Sequence, residues 1–206
     1  MPTAERAGRV LVLATGNPGK VRELSALLVG HAWTVRPQSD FGVIEAEETG
    51  LSFVENAIIK ARNASRQTGL PAIADDSGLV CDALAGAPGI HSARYAGPGA
   101  TDAANVDRLL AALAASDDAA RGCRFVCVMV HLAHAEDPCP VIAQGQWTGR
   151  VARSPRGAAG FGYDPVFIAA GGAPTAAELD PVHKNEISHR GQALRALLAQ
   201  LRNAGA

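Results

Sequence analysis

Apolar residues recur along this chain with two different periods, and the switches between them outline its elements. Arg9 to Ala14 (RVLVLA) is almost continuously apolar and predicts a buried strand. Asn17 then offers a side-chain cap for a helix that starts at Pro18, a position where proline's missing N–H costs nothing. Val21, Leu24, Leu27 and Leu28 supply that helix's apolar face. A polar loop containing Glu45, Glu47 and Glu48 leads to a second helix, opened by the capping-box pair Ser52 and Glu55. Phe53, Val54, Ala57, Ile58 and Ala61 form its buried stripe, while Asn56, Lys60 and Asn63 share another face. Thr101 opens a third helix with Val106, Leu109, Leu110 and Leu113 on one side. A last helix, from about Ser188, carries Leu194, Leu197, Leu198 and Leu201. Residues 124–133 and 140–148 are apolar and joined by a turn around Glu136 to Pro140, which predicts a hairpin. Helices mixed with parallel-type and hairpin strands predict an α/β fold on a mixed sheet. No internal repeat or long linker interrupts the 206 residues, so a single domain over 1–206 is expected, with residues 1–8 as a flexible lead-in.

Composition narrows the function classes. A hydrophobic content of 48% with 19% charged residues is that of a soluble globular protein. A formal net charge of −1 argues against a general nucleic-acid binder, so a charged ligand must be met by a local cluster. Val10 to Ala14 is too short for a signal-peptide core or a membrane span; no membrane partner is expected, and a cytoplasmic location is. Cys81, Cys123 and Cys127 sit in apolar runs as small hydrophobes, and Cys139 lies in a Pro-flanked turn. Without a CxxC spacing, neither a structural zinc site nor disulfides are expected.

The candidate chemistry begins with Ala74-Asp75-Asp76-Ser77-Gly78-Leu79, between the apolar run Leu70 to Ala74 and another that starts at Leu79. This pattern predicts two adjacent carboxylates at a strand end, in a turn that Gly78 allows to be tight. Asp is depleted in strands and like charges repel, so packing alone does not explain the pair. A divalent cation would relieve the repulsion; a solvated turn with Asp side chains bonding local N–H groups is the plainer alternative. Thr15-Gly16-Asn17-Pro18-Gly19-Lys20, between strand and helix, has the makings of an anion loop. It is not a Walker A loop, because Ala14 stands where the leading Gly would be and Val21 follows the lysine. Glu47 and Glu48 would add the hard oxygen ligands that magnesium takes alongside water and substrate phosphate. Lys60, a surface lysine on the plain reading, would neutralise phosphoryl charge if its helix faced the acidic segment. Phe161-Gly162-Tyr163-Asp164 offers an aromatic to stack on a base and a carboxylate to accept from ring N–H groups. Lys184 and Ser188-His189-Arg190 add donors just before the last helix, or else an ordinary helix start.

Together these segments resemble the inosine/xanthosine triphosphate pyrophosphatase family. The matching stretches are ATGNPGKVREL (14–24), AEETGLSFVENAIIKA (46–61), PAIADDSGL (71–79), GAPGIHSARYAG (86–97), GFGYDPVF (160–167) and ISHRGQAL (187–194). The resemblance implies an elongated α/β fold with a long mixed sheet flanked by helices, and a nucleotide cleft between two lobes. It also implies a homodimer, dependence on magnesium (Mg2+), and cleavage between the α- and β-phosphates of deaminated purine nucleotides such as ITP, dITP and XTP. Carried over by motif, Thr15, Gly16, Asn17, Pro18, Gly19 and Lys20 bind the triphosphate, and Ser77 contacts substrate. Glu47, Glu48 and Asp76 serve the metal, Asp76 is also the proton acceptor, and Asp75, Lys60 and Lys20 support that centre. Phe161, Gly162, Tyr163, Asp164, Lys184, His189 and Arg190 hold the base and its neighbourhood. Glu47 and Glu48 remain alternatives for the direct ligand, because adjacent residues on an extended chain point opposite ways. One rival reading is a Maf-like pyrophosphatase, which shares the general architecture but acts on other nucleotides; the Ser188-His189-Arg190 segment and the Phe161–Asp164 loop oppose it. The other is a nucleotide sensor without catalysis, which would gain little from paired carboxylates near phosphates.

Overall fold

The computed structural model describes residues 9–28 and 33–203; the expected lead-in at residues 1–8 lies outside them. Six strands form one mixed sheet in the order β2-β1-β3-β4-β5-β6. The strands are β1 (Arg9–Leu13), β2 (Trp33–Pro37), β3 (Ala72–Cys81), β4 (Gly122–Leu132), β5 (Val141–Val151) and β6 (Phe167–Ala169). β1 runs parallel to β2 and β3, whereas β3, β4, β5 and β6 are antiparallel in succession. The predicted hairpin is the β4–β5 pair, with Phe125 opposite Trp147 and Val130 opposite Ile142.

Helices cover both faces. α1 (Pro18–Leu28) and α5 (His189–Asn203) pack Leu24, Leu194 and Leu197 against Leu11, Ile73 and Met129. α2 (Phe53–Thr68) lays Ala57, Ala61 and Ala64 on Ala72, Ala74 and Val130 of the opposite face. Small side chains on both elements let that helix lie close to the sheet. A third cluster, with Leu109 and Leu113 at its centre, joins α3 (Asp102–Ala112) to Leu79, Phe125 and Phe167 toward the other end of the long strands. The caps read from sequence are made: Asn17 Oδ1 accepts from Gly19 and Lys20 N–H, Ser52 Oγ from Glu55, and Thr101 Oγ1 from Ala104. β2, β6 and α4 (Pro181–Ile187) have no counterpart in the sequence reading. α4 carried a legible start, since Asp180 caps Val182 and His183 N–H with Pro181 at the first helical position.

The acidic segment departs from expectation. Residues 74–79 are no turn but the middle of β3, paired without a break to β4 from Ala72–Leu132 to Cys81–Cys123. Side chains along a strand alternate between faces. Asp75 therefore shares a face with Ile73 beneath α1 and α5, and Asp76 shares the other with Ala72 and Ala74 beneath α2. The repulsion argument fails for the same reason, since the adjacent carboxylates are on opposite sides of the sheet. Gly78 is required not for a turn but for a close approach. A Cβ there would lie 2.3 Å from the Gly89 carbonyl oxygen and 2.5 Å from Ser92 Oγ. Ser92 Oγ in turn accepts from Leu79 N–H, which docks the 3-10 helix Gly89–Arg94 along the strand. Gly78→Ala is accordingly expected to lower the unfolding free energy by about 1–3 kcal/mol, the usual cost of overpacking. Urea denaturation checks this, and an unchanged midpoint would contradict the docking contact.

Candidate active site

A cleft of about 650 Å³ opens where the β1–α1 loop, the acidic loop, α2, β3, the Gly89–Arg94 helix and the glycine-rich loop converge. Its lining includes Thr15, Gly16, Asn17, Lys20, Glu47, Glu48, Lys60, Asp76, Ser77, Phe161, Gly162, Tyr163, Asp164, Lys184, His189 and Arg190. Pro18, Gly19 and Asp75 are close by but do not line it. In the β1–α1 loop, Thr15 Oγ1 accepts from Asn17 N–H at 3.2 Å, and the Asn17 cap engages the next two N–H groups. Those three donors are internally satisfied, so Lys20 carries most of this loop's attraction for an anion.

The two aspartates enter different networks. Asp75 is fully buried, with Lys20 Nζ 2.9 Å and Arg190 Nε 3.7 Å from Oδ2 and the Ser77 hydroxyl donating to it at 3.0 Å. Burial alone would raise its pKa, but the Lys20, Arg190 and Lys60 charges outweigh that and hold it below the usual carboxylate range. Asp76 faces α2, where Lys60 Nζ lies 2.8 Å from Asp76 Oδ1 and 2.8 Å from Glu48 Oε1. Burial raises the Asp76 pKa above its ordinary value, only partly offset by Lys60 and Lys20. Burial lowers the Lys60 pKa more than any one neighbour raises it, but Asp76, Asp75 and Glu48 together leave it above its ordinary value. Glu48 is thus brought to the centre, while its neighbour Glu47 is exposed.

At the other end, Phe161 sits under two cations, 5.6 Å from Lys184 Nζ and 5.4 Å from the Arg190 guanidinium carbon. The Phe161 ring packs directly on Gly19, where a Cβ would fall 2.7 Å from it, linking the two glycine loops. Asp164 Oδ2 accepts from Phe161 N–H at 2.9 Å and Lys184 Nζ at 2.7 Å. That oxygen shapes the loop itself, a duty the sequence reading had not foreseen. Tyr163 donates its hydroxyl to the Ser92 carbonyl at 2.8 Å. His189 is buried, stacked on Phe125 at 4.6 Å and 8°, with Nδ1 unpartnered within the protein. Burial, reinforced by Arg190 and Lys184, pushes its pKa well below 6.5, so the imidazole is neutral.

Arg94 and Asp102, which line the cleft, and Glu23, which lies beside it, escaped the sequence reading. Glu23, one turn after Lys20 on α1, pairs with both Lys184 (3.0 Å) and Arg190. Asp102 accepts from Gly162 N–H at 2.7 Å, and Arg94 NH1 reaches Glu48 Oε2 at 3.3 Å. Glu23 sits one turn from Lys20, but its partners lie 161 and 167 residues away, so that spacing gave no sign of them. Asp102 was masked by the ordinary preference for acids in a first helical turn.

Comparison with known proteins follows the same lines. A model described as the Ham1 family matches residues 11–200. A protein named dITP/XTP pyrophosphatase from Thioalkalivibrio sulfidiphilus is 63% identical over 191 residues, covering 93% of this chain and 97% of its own. One of the same name from Yersinia pseudotuberculosis is 58% identical over 194 residues, covering 94% and 98%. The solved structure of a HAM1 protein from Coxiella burnetii superposes with a TM-score of 0.87 at 52% identity, covering 95% of this chain and 99% of that one.

The neutral, buried His189 yields a pH test. A folded-state pKa below the unfolded value leaves the fold unaffected above about pH 6.5 and weakens it as pH falls below, by up to about 1.4 kcal/mol per unit for each such group. The imidazole resonances of His189 are expected not to titrate between pH 7.5 and 5.5. A midpoint near the ordinary value would contradict the buried, neutral assignment.

Proposed function

The chain belongs to the Ham1 family, and from that premise we propose that it hydrolyses ITP, dITP and XTP to the nucleoside monophosphate and pyrophosphate. The observation that carries the reading is the convergence of Glu48 and Asp76 on one point, held here by the Lys60 ammonium at 2.8 Å from each. It lies in a cleft whose other end holds an aromatic ring and a buried imidazole. That donor set fits magnesium, because Glu48 and Asp76 bring carboxylate oxygens to the same place beside Lys60, two hard donors at the edge of an open cleft. Magnesium commonly takes one or two carboxylates and completes its shell with water and phosphate. Glu48 and Asp76 would hold it, with Glu47 left on the exposed side; when bound there, the metal polarises phosphate oxygens and acidifies water.

The chain's own residues divide the remaining work. Asp76, at the cleft wall beside Lys60 and Glu48, accepts the proton of the attacking water. Lys20 and Lys60 offset negative charge as pyrophosphate leaves, with Ser77 beside them and Thr15 to Gly19 shaping the triphosphate's seat. Asp75 supports Lys20 and Arg190 from beneath and touches no substrate. Phe161 stacks on the purine, within the loop set by Gly162, Tyr163, Asp164 and Lys184. His189 and Arg190 supply donors to the six-position carbonyl of hypoxanthine or xanthine. Adenine presents an amino group there and would leave those buried donors unpaired, a mismatch that discriminates by several orders of magnitude. A homodimer, as the family resemblance implies, and a cytoplasmic location complete the proposal; among the described residues no helix is long and apolar enough to cross a membrane.

Incubation with Mg2+ and separate nucleotides tests the reading through its products. ITP and XTP should give monophosphate and pyrophosphate, with kcat/KM for ATP lower by about 100-fold or more, and EDTA should abolish turnover. Diphosphate with orthophosphate as products, or equal use of ATP, would contradict it.

A further inference from the structure

Five cations line the cleft, and four are tied closely to carboxylates. Lys20 pairs with Asp75, Lys60 with Asp76 and Glu48, Lys184 with Asp164 and Glu23, and Arg190 with Glu23. Arg94, at the end of the Gly89–Arg94 helix, is the exception. Its one carboxylate is Glu48, at 3.3 Å, and Lys60 holds that same group more closely at 2.8 Å. Its side chain is 38% exposed, against 15% for Lys60 and 13% for Lys20. Among the described residues Nε and NH2 make no hydrogen bond, so most of its planar fork is uncommitted.

Place and chemistry together narrow what such a group can take. The contact with Glu48 puts the guanidinium at the acidic end of the cleft, away from the Phe161, Lys184 and Arg190 end. A nucleoside triphosphate lying along the cleft would bring its terminal phosphates to that region, where Lys20 and Lys60 share their charge with Asp75, Asp76 and Glu48 and Arg94 adds a less committed one. Guanidinium is suited to bidentate pairing with phosphate oxygens. We propose that Arg94 is a further substrate-binding residue, clamping the β- and γ-phosphates that leave as pyrophosphate. The inference rests on the pyrophosphatase reading, and the rigid docking of its helix through Gly78 and Ser92 gives the clamp a fixed base.

The alternative is that Arg94 only orients Glu48, which would change metal dependence but not metal-free phosphate binding. Calorimetry in EDTA with inorganic pyrophosphate and with IMP, on wild type, Arg94→Ala and Arg94→Lys, separates the two. Arg94→Ala should weaken pyrophosphate binding about tenfold or more, as loss of a charge-assisted hydrogen bond implies, and leave IMP binding within about twofold. Arg94→Lys should recover part of the loss. The inference is overturned if pyrophosphate fails to bind wild type, if its affinity is unchanged in Arg94→Ala, or if IMP affinity falls by the same factor. A wild type that binds pyrophosphate through Arg94 but does not split ITP would instead overturn the reading beneath it.

Discussion

The alternation of side chains along β3 is the constraint on which the rest of the site depends. It sends two consecutive aspartates through opposite faces of one sheet, into different helices and opposite energetic roles. Asp75 meets Lys20 from α1 and Arg190 from α5 with no exposure to solvent. Its lowered pKa means that the ionised form is favoured by folding, a contribution present above the usual carboxylate range and lost as pH falls through the folded value. Asp76 meets Lys60 from α2 at the cleft, and its raised pKa means that folding disfavours its charge. One residue stabilises; its neighbour is held ready.

From this strand the two ends of the cleft are coupled. Arg190 touches both Ser77 on β3 and Glu23 on α1, and Glu23 also holds Lys184. Lys184 anchors Asp164 and lies over Phe161, whose ring rests on Gly19 of the β1–α1 loop. The segments proposed to meet a purine and those proposed to meet phosphates are therefore joined by one connected network of ion pairs, hydrogen bonds and ring contacts. Removing a single member leaves an uncompensated buried charge, which is far more damaging than replacing the whole network. On the other flank, Gly78 admits the Gly89–Arg94 helix, and Ser92 on it holds both Leu79 and Tyr163.

Much of this was legible in the sequence. Helical periodicity and caps gave α1, α2, α3 and α5 their places, and the apolar runs 124–133 and 140–148 gave the hairpin. The motifs carried the resemblance to the family and most of the cleft lining. What failed was local grammar at the acidic segment: Asp, Asp and Gly together spell a turn, yet tertiary pairing made them strand. Propensity cannot anticipate buried cations arriving from residues 20, 60 and 190. Edge strand β2 was missed although Trp33-Thr34-Val35-Arg36-Pro37 alternates in the manner of a half-buried strand, whereas β6 has only three residues and carries no such pattern. Glu23, Arg94 and Asp102 act through partners far away in sequence, so no spacing rule reveals what they bind.

The division between the two aspartates is most directly tested by comparing Asp75→Asn and Asp76→Asn side by side, in urea unfolding at pH 7 and in turnover of ITP. Asp75→Asn should lose about 3–5 kcal/mol of stability, because Lys20 and Arg190 are left buried without their carboxylate. Asp76→Asn should unfold within about 1 kcal/mol of wild type and yet lose its turnover. Equal destabilisation of the two variants, or an Asp76→Asn protein that still hydrolyses ITP at the wild-type rate, would contradict the account.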